Sequence, residues 1–283
     1  MLDASMLSFL APCFAASLIL AGIHAYLGVH VVERGVIFVD LSLAQIAALG
    51  ATIALLLPFS NGDPHAPFVY WISLAFTFMG AFIFSTIRSK RGRIPQEAII
   101  GICYAVASAA AILAMSKATS ESEHLKDMLV GNILAVSWPE VEHTALLYGA
   151  IGLFHFVFRR QFLAISRDHE AAEASGLSTR LWDFLFYASF GFVVTSSVAI
   201  AGVLLVFCYL IVPSVGAMLY AESIGKRLAI GWTMGTVVSA LGVYLSLMLD
   251  LPTGATIVCT FGLVLIVMAL VKPLIIQRTH AMS

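Results

Sequence analysis

Charge is what this chain has least of. Asp, Glu, Lys and Arg together make 11% of its 283 residues, whereas hydrophobic residues make 60%. A soluble domain keeps about 25% of its residues charged because its surface faces water, so a water-soluble globule is excluded. Cysteine is scarce too, and Cys13, Cys103, Cys208 and Cys259 all fall inside apolar stretches. With no CxxC pair among them, neither a thiolate zinc site nor a disulfide framework is indicated, and they read as small apolar side chains. No Lys or Arg precedes Arg34, so the basic start of a secretory signal is missing. The first apolar stretch is too long for a signal core and reads as a retained spanning helix. There is no GxxxxGK[ST] loop to cradle nucleotide phosphates, so ATP hydrolysis by that route is not expected of this chain. HExxH and GxSxG are also missing; His169–Glu173 reads HEAAE, with Glu where the second zinc-binding His would stand. A net charge of -1 offers no basic surface for nucleic acid.

What the chain does have is long apolar runs. They extend over Leu7–Val31, Val36–Leu57, Phe68–Ile87, Glu97–Met115, Val141–Phe158, Phe184–Ile200, Gly202–Tyr220, Leu228–Leu249 and Thr253–Leu274. A membrane-spanning helix needs about 20 such residues, so the fold class is all-α, a polytopic transmembrane helix bundle of eight or nine spans. Phe184–Tyr220 is the ambiguous stretch, because only Ala201 and Gly202 separate its halves. Basic residues near span ends mark the cytoplasmic side. Nine spans place Arg34, the Arg88–Arg93 cluster, Arg159, Arg160, Arg167, Arg180, Lys226, Arg227, Lys272 and Arg278 inside, and only Lys117 and Lys126 outside. Fusing Phe184–Tyr220 into one crossing would expel Lys226, Arg227, Lys272 and Arg278, whereas an eight-span version without the first block keeps the bias. The whole of residues 1–283 is read as one transmembrane domain, with its longest polar run, Arg159–Asp183, in the cytoplasm.

Ionisable groups inside hydrocarbon cost about 2.5–3.5 kcal/mol each on insertion scales, so each asks for a purpose or a partner. Asp40 opens the second span. It is read either as a helix cap or neutralising neighbour of Arg34, or as a carboxylate on a cation pathway. Gln45 lies further along the same span and His30 in the first. His24 and His30 are six residues apart, about 240° around a helix, and cannot face one ion. His155 reads as a histidine hydrogen-bonded within the bundle. Glu121, Glu123 and His124 form an ExEH cluster that is either an external metal-receiving rim or a solvated loop. The stretch Arg167–Gly176 is rich in helix formers and ends in a C-cap glycine. It is either a lever between two spans or a plain loop helix.

Several motifs, in order along nearly the whole chain, resemble those of the ABC-3 family, the permease subunits of zinc, manganese and iron ABC importers. Gly28–Arg34 (GVHVVER), Phe38 and Val39–Gly50 (VDLSLAQIAALG) are similar to the family's GVFVVLRRMSFIGDALSHAVLPG. Leu129–Ser137 (LVGNILAVS) looks like LxGSILxVS, and Asp168–Gly176 (DHEAAEASG) resembles the cytoplasmic DxExAxxxG element. Gly202–Phe207 with Ile211–Ser214 resembles GVLLVxxLLIxPA, and Asp250–Val258 (DLPTGATIV) matches DxPTGAxIV. Leu41 and Gln45 stand where the family's pattern carries its metal-contacting Asp and His, with Asp40 one residue before the first.

The resemblance implies a permease in the bacterial cytoplasmic (inner) membrane, of the type II metal or chelate importer kind. It also implies a second permease copy, as homodimer or heterodimer, a cytosolic ABC ATPase that uses the ATP, and an extracytoplasmic metal-binding protein. Asp168, Glu170, Glu173 and Gly176 would then belong to the helix that couples to the ATPase, while Asp40, Gln45 and His30 would lie on the metal pathway. No intrinsic cofactor is implied; zinc, manganese or iron is cargo. The competing class is an ion-coupled secondary transporter or channel for a small cation, which would use its intramembrane acids instead of ATP.

Overall fold

A computed structural model describes residues 4–60, 66–88, 95–116 and 133–281. Among these, every regular element is helical: α1 (Ala4–Glu33), α2 (Val39–Leu56), α3 (Pro67–Arg88), α4 (Gln96–Met115), α5 (Trp138–Val157), α6 (Arg159–Arg167), α7 (His169–Ala174), α8 (Thr179–Met218), α9 (Ile224–Leu249) and α10 (Thr253–Ala281), with one 3-10 turn at Ile133–Ala135. The physical reason is that hydrocarbon offers no partner to a peptide group, so a spanning segment must close its hydrogen bonds within itself. Seven of these helices are long and apolar enough to cross a membrane. The pair α5 and α6, bent by 74°, counts as an eighth, with α5 its apolar part and α6 turned away from it.

The count turns on α8. At 40 residues it would run about 60 Å if straight, twice the hydrocarbon thickness. Its backbone leaves helical geometry at Gly202, with φ 74° and ψ 162°, a conformation that costs a side-chain-bearing residue about 1–3 kcal/mol. The break falls where the sequence divides the apolar run. Taken as two crossings, α8 raises the count among the described residues from eight to nine, the larger of the two numbers expected.

The described residues gather into two compact units, Met1–Val32 with Val130–Tyr148 and Ile200–Ser283, and Glu33–Leu129 with Gly149–Ala199. In the first, small residues let backbones approach. A Cβ on Gly28 would fall on the Leu210 carbonyl oxygen and Ser214 Oγ, and one on Gly235 would meet Ala21 Cβ at 2.9 Å. Along α9, Gly231, Gly235, Ser239, Gly242 and Ser246 are all buried. Helices in lipid gain little from hydrophobic exclusion, so close van der Waals contact across such seams is what holds them together. The turn between α9 and α10 is tight. Asp250 adopts a left-handed conformation (φ 51°), the Leu251 amide donates to the Ser246 carbonyl at 3.0 Å, and Ser246 and Thr253 hydroxyls meet at 2.6 Å. The DLPTG motif therefore spans this turn and the first residues of α10. Aspartate suits the turn because its short polar side chain tolerates that conformation.

In the second unit α2 packs on α3 and α4. Ser73 Oγ donates to the Ala47 carbonyl at 2.8 Å, and the hydroxyls of Thr77 and Thr195 meet at 3.0 Å, tying α3 to the first part of α8. Outward faces are apolar in both units: Leu113 and Leu270 are 70% and 69% exposed. Such surfaces suit lipid, where no hydration of the exterior is needed.

Candidate functional site

The link Arg34–Phe38 leads from α1 into α2, and the Phe38 amide donates to Glu97 Oε1 at 3.0 Å. Phe38 is the N-cap of α2 and carries no side-chain cap, so the capping role considered for Asp40 is not realised. Asp40 lies one residue inside the helix and is 1% exposed. Its Oδ1 and the nearby Ser42 Oγ have no hydrogen-bond partner among the described residues. Nor is Asp40 the carboxylate paired with Arg34. Arg34 Nη1 instead donates to Asp183 Oδ1 at 2.6 Å. The carboxylate of Asp40 is thus left buried in a span without the neighbours expected to compensate it, the usual mark of a functional group at membrane depth.

Gln45 is half-buried. It lies five residues on, about 7.5 Å along the axis and 140° around it, on the side shared with half-buried Leu41. Asp40 and Gln45 therefore occupy different faces of α2. His30 is buried, its ring edge-on to Tyr26 with centroids 4.8 Å apart. His24 is fully buried, its Nδ1 2.7 Å from the Leu20 carbonyl oxygen. Among the described residues no three His, Cys, Asp or Glu side chains converge tightly enough to hold a metal. Glu121, Glu123 and His124 lie outside the described residues.

The polar run resolves into two short helices. In α6, Phe162, Ile165 and Ser166 are buried, an i, i+3, i+4 face. Phe162 stacks on His155 with ring centroids 4.3 Å apart, and His155 Nε2 bonds Ser189 Oγ at 2.8 Å, the satisfied bundle histidine that the sequence suggested. Next, α7 is capped at both ends. Asp168 Oδ1 accepts the Ala171 amide at 2.9 Å, an N-cap. Gly176 has φ 86°, while the Leu177 amide bonds the Ala172 carbonyl at 3.2 Å and the Gly176 amide bonds the Glu173 carbonyl at 3.0 Å, the Schellman pattern. Asp168 and Gly176 thus shape the helix, and Glu170 and Glu173 stand on its exposed surface.

Sequence reasoning missed the most concentrated polar feature here. Besides the Asp183 contact, Arg34 Nε donates to Ser166 Oγ at 2.8 Å, and its guanidinium lies 3.9 Å over the Phe186 ring. His169 Nε2 approaches Asp183 Oδ2 to 3.3 Å. Arg34 and Asp183 are 149 positions apart, and no local pattern in a single sequence signals such a pairing.

Multiple spanning helices with buried charges along them, and a capped polar arm between two spans, define a polytopic helical membrane protein. The chain belongs to the ABC 3 transport family, whose model matches residues 6–272, and it is a multi-pass permease component of a bacterial membrane transport system. It is 24% identical over 266 residues to the manganese transport system membrane protein MntC of Listeria monocytogenes, covering 94% of this chain and 91% of that protein. It is 25% identical over 251 residues to the chelated iron transport system membrane protein YfeC of Yersinia pestis, covering 89% and 82%. Among solved structures it is similar to PsaBC from Streptococcus pneumoniae in complex with Fab, at 24% identity and a TM-score of 0.76, over 92% of this chain and 90% of that one.

Proposed function

We infer that this chain is the membrane permease of an ATP-driven importer for divalent transition-metal ions, with manganese the cargo that its pathway donors favour. The observation that carries the assignment is Asp40, a carboxylate held almost wholly out of solvent in a spanning helix. Asp40 and Gln45 offer oxygen atoms, which suit harder cations such as Mn²⁺ better than the softer zinc. Their separation along and around α2 supports successive stations for a moving ion rather than a shared cage. His30, on α1, is a separate candidate donor. The names of the relatives, manganese and chelated iron transport systems, point the same way.

The ATP would be hydrolysed by a separate cytosolic ABC ATPase, since this chain carries no phosphate-binding loop. That subunit would press on α6 and α7 from the cytoplasm, with Glu170 and Glu173 presented to it by the caps at Asp168 and Gly176. A second permease copy and an extracytoplasmic metal-binding protein complete the assembly. In a complex with its ATPase and binding protein, Mn²⁺ is expected to stimulate ATP hydrolysis more than Zn²⁺ or Fe²⁺. Absence of stimulation by all three would move the assignment to an ion-coupled transporter. A Cys at Glu170 should react with an impermeant thiol reagent only from the cytoplasmic side, and labelling from outside would rule out the ATPase contact.

A further inference from the structure

Two fully buried charges meet where the polar arm joins the spans. Arg34 belongs to the link between α1 and α2, Ser166 to α6, His169 opens α7, and Asp183 lies near the start of α8. Asp183 contacts both the Arg34 guanidinium at 2.6 Å and the His169 ring at 3.3 Å. Ser166 accepts from Arg34 Nε, and Phe186 covers the guanidinium face. One cation and one anion therefore tie three segments together by hydrogen bonds, with the His169 ring of α7 set against the pair.

We propose that the Arg34–Asp183 ion pair, with Ser166 and His169, is the transmission joint that carries displacement of α6 and α7 to the α1–α2 link and so to Asp40. This rests on the reading of α6 and α7 as the place where the ATPase presses. The side chains of both charges are 0% exposed, and separating two charges away from water leaves each uncompensated. A push on α6–α7 consequently moves the pair rather than parting it. The planar guanidinium is bonded through two different nitrogens and stacked on a ring, so it resists rotation as well as translation. Asp40 follows Arg34 by six residues, with Gly35 (φ 66°) between them. A shift of the arm thus has a short covalent route to the carboxylate. Phe162, packed against Trp182 and Phe186 with ring centroids 5.4 and 6.2 Å away, keeps α6 from sliding over the start of α8. Arg34, Asp183, Ser166 and His169 are positioning residues: the ion need never touch them.

The test uses the full chain in proteoliposomes with its ATPase and metal-binding protein, and counts radiolabelled manganese moved per ATP hydrolysed. Asp183→Asn and the double variant Arg34→Met/Asp183→Leu are compared with wild type. The double variant removes both charges together and so leaves no orphan to unfold the protein. The expected result is normal co-purification with the ATPase, continued ATP hydrolysis, and a fall in manganese per ATP of roughly 5- to 150-fold, the span of typical coupling effects. A merely structural staple would lower the yield of complex and leave that ratio unchanged, and an unchanged ratio in the double variant overturns the proposal. So does loss of ATPase binding in the variants, because the pair would then be holding the docking surface. If the wild-type chain itself fails to bind the ATPase, the reading of α6 and α7 falls first and takes the joint with it.

Discussion

Asp40→Asn is expected to cut manganese uptake roughly 10- to 100-fold, the loss typical when even the outer-shell partners of a metal are altered, while the folded protein stays at least as stable as before. The two effects separate because the substitution keeps shape and volume and removes only the charge. Burying a charge without a partner is costly, and burying a neutral amide much less so. Asp40 Oδ1 has no hydrogen-bond partner among the described residues, so no network collapses when it becomes an amide. If the carboxylate were there for the fold, thermal unfolding in detergent would shift to lower temperature and uptake per folded molecule would not change. Uptake indistinguishable from wild type at equal expression would remove Asp40 from the pathway and leave the transport reading without its central residue.

Gly28→Ala should produce the largest structural loss, more than about 3 kcal/mol, at the upper end of overpacking costs. The methyl would land on the Leu210 carbonyl oxygen and on Ser214 Oγ. The first is backbone and cannot rotate aside. Ser214 is already committed: it donates to the Leu210 carbonyl at 2.9 Å and lies 3.4 Å from that of Ala25. Gly22→Ala on the same helix is the control, since a Cβ there meets nothing within 4 Å. That change should be neutral or stabilising by a few tenths of a kcal/mol, as alanine favours helix over glycine. Thermal melts and membrane yields of the pair give the comparison. Equal behaviour of the two variants would mean that α1 does not approach Leu210 so closely.

How much of this could be read in one dimension differs between fold and site. Helices were legible because hydropathy in blocks of about 20 residues needs no tertiary information. The break at Gly202 was legible as a glycine between two apolar halves of span length, and the end of α7 as Gly176 after a helix-forming run. In the site, Asp40 stood out as a carboxylate in a span, and its neighbours did not. Its pairing with Arg34 was a natural reading of six-residue proximity, but Arg34 is engaged by Asp183 and Ser166 instead. Asp168 and the DLPTG run read as motifs in one dimension, and in the structure they are a helix cap and a tight turn leading into α10.

Composition and the spacing of apolar runs were enough to determine a helical bundle in lipid with a polar arm between two of its spans. They suffice because solvation of the peptide group and transfer of apolar side chains are local properties, summed along the chain without regard to what packs against what. Which polar groups satisfy one another was decided only in three dimensions. A buried charge is stabilised by whichever partner the packed helices bring within about 3 Å, and sequence separation does not enter that condition. Thus Arg34 found Asp183, His155 found Ser189, and Asp40 was left facing the interior with an oxygen atom to offer.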